Sequence, residues 1–155
     1  MNRTHKILAP MSGRLTLLQQ VPDQIFSQGL LGEGIAILPE DGRILAPVDG
    51  VISAVMDTLH AYGFETEDGL ELLVHVGLGS LTLRGEAFRC HVTIGQQVKA
   101  GDMIAEVDLK LLEENGIPAI TPVVICEGGD GLARNMAEGS VIAGQTTLMT
   151  LIARE

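Results

Sequence analysis

Apolar and polar residues alternate along short stretches of this chain, and turn-forming residues separate the stretches. In residues 70–77, Leu70, Leu72, Val74 and Val76 fall on one side, and Glu71, Leu73, His75 and Gly77 on the other. That is the period of a strand with one face in a core. The apolar side is expected inside. His75 is then expected on a mixed outer surface, with room beside it at Gly77 and Gly79. The earlier run Asp57–Tyr62 also reads as strand, which places Thr58 and His60 on one face. The acidic stretch Glu65–Gly69 between the two runs predicts a turn, and a hairpin there brings the two imidazoles together.

The rest of the pattern is similar. Ala9-Pro10-Met11-Ser12-Gly13 leads into a β-rich run from Arg14 to Leu18. Ala46-Pro47-Val48-Asp49-Gly50 leads into another, from Val51 to Met56. Val98-Lys99-Ala100-Gly101-Asp102 is echoed by Val141-Ile142-Ala143-Gly144-Gln145. Such echoes suggest a β unit used twice. Two stretches read as helical. Asp108–Asn115 has an N-cap in Asp108 and a stop at Gly116-Ile117-Pro118; Asp130–Glu138 is broken up by glycine. Residues 22–27 read as a surface loop or short turn. The fold class expected is all-β: a compact antiparallel β-sandwich or barrel with short helical turns, one domain over residues 1–155.

Composition narrows the class. The chain has 155 residues and is 46% hydrophobic, with no Trp and one Tyr. It is long enough for a real core, which must rest on aliphatic side chains. A formal net charge of -10 argues against nucleic acid, whose phosphates need Lys and Arg, and permits steering toward a basic protein. Cys90 and Cys126 form no paired motif and are expected as free thiols. No signal peptide and no membrane span are read, so a cytoplasmic protein is expected.

Paired imidazoles at neutral pH can bind a metal, shuttle a proton or carry a phosphoryl group. A metal site needs a further ligand; Asp57 and Glu71 are available, but neither has a zinc-site spacing. A phosphoryl carrier needs one nucleophilic imidazole nitrogen and nearby donors for the phosphate. His75, His60, Thr58 and the backbone from Gly77 to Gly79 can supply these. No Walker loop is present, so the phosphoryl donor is expected to be another phosphoprotein, not ATP. His5 and His91 have no comparable neighbours.

At these residues the chain closely resembles a known family, the glucose-type enzyme IIA component of the bacterial phosphoenolpyruvate-dependent sugar phosphotransferase system. The resemblance runs from about Ile7 to Ile152. It includes Val21-Pro22-Asp23 with Phe26, Gly32-Glu33-Gly34-Ile35-Ala36-Ile37, Thr58-Leu59-His60-Ala61, Glu71-Leu72-Leu73-Val74-His75-Val76-Gly77, Leu111-Leu112-Glu113-Glu114 and Thr121-Pro122-Val123-Val124-Ile125. It implies a β-sandwich and a phosphoryl relay with no cofactor. By the resemblance, His75 is the residue phosphorylated on Nε2, His60 supports the phosphoryl group, and Thr58 orients a histidine. HPr is the implied donor, and a cysteine on the IIB domain of a sugar permease the implied acceptor. A free-standing IIA protein is implied, not one fused to a permease. One departure is Gly79, where the family usually has an acidic residue.

Two other families share pieces of this pattern. Zinc peptidases of the lysostaphin type look distantly similar, but they use a His-x-His pair, and Gly77 stands where its second histidine belongs. No metal site is expected; His60 and His75 are expected to bind zinc adventitiously at most. Biotinyl or lipoyl carriers share the Ala-Pro-x-x-Gly and Val-x-Ala-Gly-Asp pieces, but Lys99 and Lys110 do not match their modified lysine. For partner docking, Ile25, Phe26, Leu31, Met56 and Leu73 are expected as an apolar rim around the histidines, with Asp23 outside it.

Overall fold

The computed structural model describes residues 4–128 and 132–153. Fourteen strands follow in chain order: β1 (Thr4–Leu8), β2 (Gly13–Leu17), β3 (Glu33–Pro39), β4 (Arg43–Leu45), β5 (Gly50–Val55), β6 (Ala61–Glu65), β7 (Glu71–His75), β8 (Phe88–Cys90), β9 (Gln97–Val98), β10 (Met103–Val107), β11 (Thr121–Glu127), β12 (Leu132–Met136), β13 (Ser140–Val141) and β14 (Thr147–Ala153). Two short helices interrupt them, α1 (Gln24–Ser27) and α2 (Leu109–Glu114). The pairings are antiparallel. An eight-stranded sheet has the order β13-β2-β3-β11-β7-β6-β5-β9, and two three-stranded sheets have the orders β1-β14-β12 and β4-β10-β8. The expected β-sandwich is what the chain forms.

The strand order reads the same from both ends when each strand is matched to its counterpart: β13 with β9, β2 with β5, β3 with β6, β11 with β7. Hydrogen bonds repeat the relation. The Leu8 amide donates to the Pro47 carbonyl at 2.9 Å, and the Leu45 amide to the Pro10 carbonyl at 2.8 Å. Gly101 donates to Ala46 at 2.8 Å and Gly144 to Ala9 at 2.9 Å. Ala100 donates to the Asp49 carboxylate and Ala143 to the Ser12 hydroxyl, both at 2.8 Å. The echoes in the sequence are therefore two copies of one β unit about an approximate two-fold axis. The copy from β4 to β10 is continuous; the other is split around it.

The core lies between the large sheet and the two small ones. Ile7, Ile37, Ile44, Ile52, Phe64, Leu72, Ile104 and Leu148 are almost fully buried there. Burying each such side chain contributes about 1.5–3 kcal/mol, so an aliphatic core can hold without tryptophan. Leu70, Leu72, Val74 and Val76 are all buried, as their alternation predicts. A second, smaller cluster covers the outer face of the sheet, from Leu18, Val21, Phe26, Ala36, Ile120 and Val124, with Leu73 and Leu78 against it.

Asp108 caps α2 as expected, accepting from the Leu111 amide at 3.1 Å. Residues 22–27 are more ordered than a loop: the Asp23 side chain accepts from the Ile25 amide and starts α1. The expected helix over Asp130–Glu138 is not formed in its described part. Residues 132–136 are instead strand β12, paired with β14 from Leu132↔Ala153 to Met136↔Met149; Asp130 and Gly131 lie outside the described residues. Cys90 and Cys126 are free thiols. No helix among the described residues is long and apolar enough to cross a membrane.

The sheet is closest at Gly34, where an added Cβ would lie 1.9 Å from the Val123 carbonyl oxygen. Gly34→Ala must push β3 away from β11. It is expected to lower the unfolding free energy by about 3 kcal/mol or more. Urea denaturation measures this; a loss under about 1 kcal/mol would mean the two strands can separate freely.

Candidate functional site

Strands β6 and β7 form the predicted hairpin, with Ala61 opposite His75 and Glu65 opposite Glu71. His75 ends β7 on the outer face. His60 is not on a strand, which corrects the sequence reading. It closes the turn 57–60 that leads into β6, and its direction is set by backbone bonds. The Leu59 amide donates to Met56 at 2.8 Å, the Met56 amide to Ala61 at 3.1 Å, and the Val76 amide to His60 at 2.7 Å. Leu59 has φ +62, a left-handed conformation that a branched side chain seldom adopts. That residue reverses the chain between Thr58 and His60, so strand alternation does not apply to them.

The two rings meet all the same. Their centroids are 4.7 Å apart, and the rings are nearly perpendicular, at 85°. The Thr58 hydroxyl lies 2.6 Å from His60 Nδ1. That contact occupies Nδ1 and leaves Nε2 of His60 available. Phe26 also packs against His75, with ring centroids 4.9 Å apart. The site is more enclosed than the open patch expected: His75 is half-buried, and His60 is 3% exposed. His75 Nδ1 is sealed from solvent with no partner in strict hydrogen-bond geometry. The backbone at Gly77 and at His75 itself still favours a proton on the ring. With Nδ1 turned inward, Nε2 is the nitrogen that can react.

The chain just past His75 is fixed as firmly. Gly77 has φ +83, and an added Cβ would lie 2.6 Å from the Ser80 hydroxyl oxygen, so only glycine fits. The buried Ser80 hydroxyl donates to the Val76 carbonyl at 2.5 Å. The amides of Gly77 and Leu78 donate to Ile120 and Pro118, both at 3.0 Å. Those two amides were expected to be free for a phosphate and are already committed. An added Cβ at Gly79 would meet nothing within 4 Å.

The expected apolar rim divides. Ile25, Leu31 and Met56 are exposed. Phe26 is 4% exposed and forms a wall of the site, not its rim; Leu73 is half-buried against the outer cluster. Ser80 and Tyr62 were not singled out by sequence. Tyr62 is fully buried, and its hydroxyl donates to the Leu59 carbonyl. Its signal was available: the only tyrosine, two residues after His60. Away from the site, His5 pairs with Asp68 at 3.1 Å and the exposed His91 with Glu106 at 3.0 Å. Among the described residues no group of three or more His, Cys, Asp or Glu could hold a metal.

Burial first, and the neighbouring His60 second, push the His75 pKa down to about 4; the backbone and Asp23 oppose this only in part. Burial also lowers that of His60. Both rings are therefore neutral at pH 7, which keeps a nitrogen lone pair available on His75.

Three comparisons with known proteins agree. Residues 5–131 match the family model described as phosphoenolpyruvate-dependent sugar phosphotransferase system, EIIA 1. The chain is 40% identical over 146 residues to the PTS system glucose-specific EIIA component of Buchnera aphidicola (subsp. Acyrthosiphon pisum, strain APS), covering 94% of this chain and 91% of that protein. The solved structure of glucose permease IIA from Mycoplasma capricolum superposes with a TM-score of 0.86 at 34% identity, covering 95% of this chain and 96% of that one.

The lowered pKa has a direction that can be measured. An unfolded histidine takes its proton near pH 6.5 and the folded His75 near 4, so between these values the unfolded chain binds more protons. Folding stability from this group is complete above pH 6.5 and falls as pH drops toward 4. NMR titration should give His75 a midpoint of about 4. A midpoint near 6.5 would show a solvated ring.

Proposed function

The chain belongs to the EIIA 1 family of the phosphoenolpyruvate-dependent sugar phosphotransferase system, and on that premise we propose that His75 is the residue through which it carries phosphate. A member of this family is a phosphocarrier in sugar uptake. In the proposed relay, Nε2 of His75 attacks the phosphorus of a phosphohistidine on HPr. The P–N bond to the donor breaks, and its electron pair stays on the donor nitrogen. A cysteine thiolate of a permease IIB domain then attacks the same phosphorus, and the electron pair of the broken P–N bond returns to Nε2. His60, as an Nε2–H tautomer set by the Thr58 hydroxyl on Nδ1, donates to the phosphoryl oxygens, whose charge spreads in the transition state.

The observation that carries this reading is the pair itself: two neutral rings 4.7 Å apart, one with its Nδ1 sealed, which leaves Nε2 for the phosphoryl group. A nucleophile protonated at neutral pH could not attack. A dianion arriving beside a second ring has a donor ready. Exposed Ile25, Leu31 and Met56 lie on elements that border the site and would supply apolar contact to either partner. We place the protein in the cytoplasm, with residues 1–155 as one IIA domain. Glucose is the first sugar to test, because the relatives are glucose components.

Incubation with phosphoenolpyruvate, enzyme I and HPr should add one acid-labile, base-stable phosphate. His75→Ala should abolish it. His60→Gln should still accept phosphate but pass it to IIB roughly 100-fold more slowly, the scale of losing one transition-state donor. Labelling that survives in His75→Ala and is lost in His60→Ala would reverse the roles.

A further inference from the structure

We propose that Tyr62 is a positioning residue for His60: its buried hydroxyl clamps the left-handed turn that aims the second imidazole at the first. This rests on the role given to His60 above.

The row Tyr62–Val74–Val123–Ile35 crosses four strands of the large sheet. It straddles the approximate two-fold axis, so Tyr62 and Ile35 are counterparts in the two β units. Ile35 is 4% exposed and fills its place with an aliphatic side chain. Packing at this position therefore does not require a phenol. A hydroxyl carried into an apolar interior is costly unless it finds a partner. Here the partner is the Leu59 carbonyl, at 2.5 Å.

Leu59 is where the site is hardest to hold. Its φ of +62 costs a branched residue conformational energy and persists only if its surroundings fix it. Three backbone bonds fix the turn: Leu59 to Met56, Met56 to Ala61 and Val76 to His60. None of them holds the peptide between Leu59 and His60 by its carbonyl. The Tyr62 hydroxyl does. Rotation of that peptide would swing His60, so Thr58 Oγ1 would lose Nδ1, and the ring would lose its place against His75. The fully buried phenol resists ionisation, because burial raises its pKa, so the clamp holds throughout the working pH range.

The test is Tyr62→Phe, which keeps the ring and removes only the clamp. Nitrogen-15 NMR of the imidazoles reads the tautomer of His60, and stopped-flow transfer reads the relay. The variant is expected to show a mixed His60 tautomer in place of one held by Thr58. It should accept phosphate on His75 but transfer it to IIB roughly tenfold more slowly, the scale of a misplaced catalytic group. A purely structural hydroxyl would change the melting temperature and leave tautomer and transfer rate as they are; that result overturns the proposal. Should the variant fold poorly, the native protein still decides. A hydroxyl proton of Tyr62 protected from exchange, with cross-relaxation to Leu59, supports the clamp, and its absence overturns it. The tautomer readout needs no phosphate, so a wild-type protein that takes no label would fault the proposed function and leave this inference standing on its own measurement.

Discussion

One backbone contact holds the site in place: the Val76 amide on the His60 carbonyl, at 2.7 Å. It continues the β6–β7 ladder one step beyond its last regular pair, Ala61 opposite His75. The side-chain period of a strand is two, so slipping this hairpin by one residue would turn His75 into the core and a valine out of it. Leu70, Leu72, Val74 and Val76 are all buried on the other face, so that slip would expose four apolar side chains. Register is thereby tied to the stability of the whole sheet. The catalytic geometry needs no separate fastening at His75.

The two-fold relation explains where the walls come from. In one unit the connection between paired strands is the short stretch 56–60, and it delivers His60. In the other it is the long stretch 18–32, which folds over the outer face and delivers Phe26 through α1. Corresponding connections of unequal length thus supply the two rings packed against His75. The counterpart position on β11 is Val124, buried in the outer cluster. The proposed chemistry lies in one copy of the unit, and the other copy packs beside it.

Much of this was legible in the sequence because strand alternation and caps are local signals. The face of His75, the buried face opposite, the acidic hairpin turn and the Asp108 cap all follow from spacing alone. The misplacements have non-local causes. His60 was placed on a strand because alternation assumes extended backbone, and the left-handed Leu59 breaks it. The sequence of residues 132–136 reads as helix, but pairing with Met149–Ala153 of β14 outweighs that weak preference. Phe26 was read as rim because nothing local shows that the stretch 18–32 folds back onto the sheet. The Gly77 and Leu78 amides were read as free, and only the crossing of residues 118–120 reveals that they are used.

The electrostatics of the pair run in opposite directions before and after phosphate arrives. In the resting protein, burial keeps protons off both rings, and repulsion from His60 adds to it at His75, which is what a nucleophile requires. A phosphoryl group on His75 would bring about -1.5 to -2 charges into the same enclosed space. That charge favours a proton on His60 and opposes the effect of burial. The ring that helps depress its neighbour's pKa then becomes the neighbour's natural donor, and no residue has to move. Enclosure serves both states: it lowers the dielectric in which the first ring stays neutral and strengthens the bond the second ring makes to the dianion. An open patch with solvated imidazoles would weaken both effects, so the 3% exposure of His60 is consistent with the proposed relay.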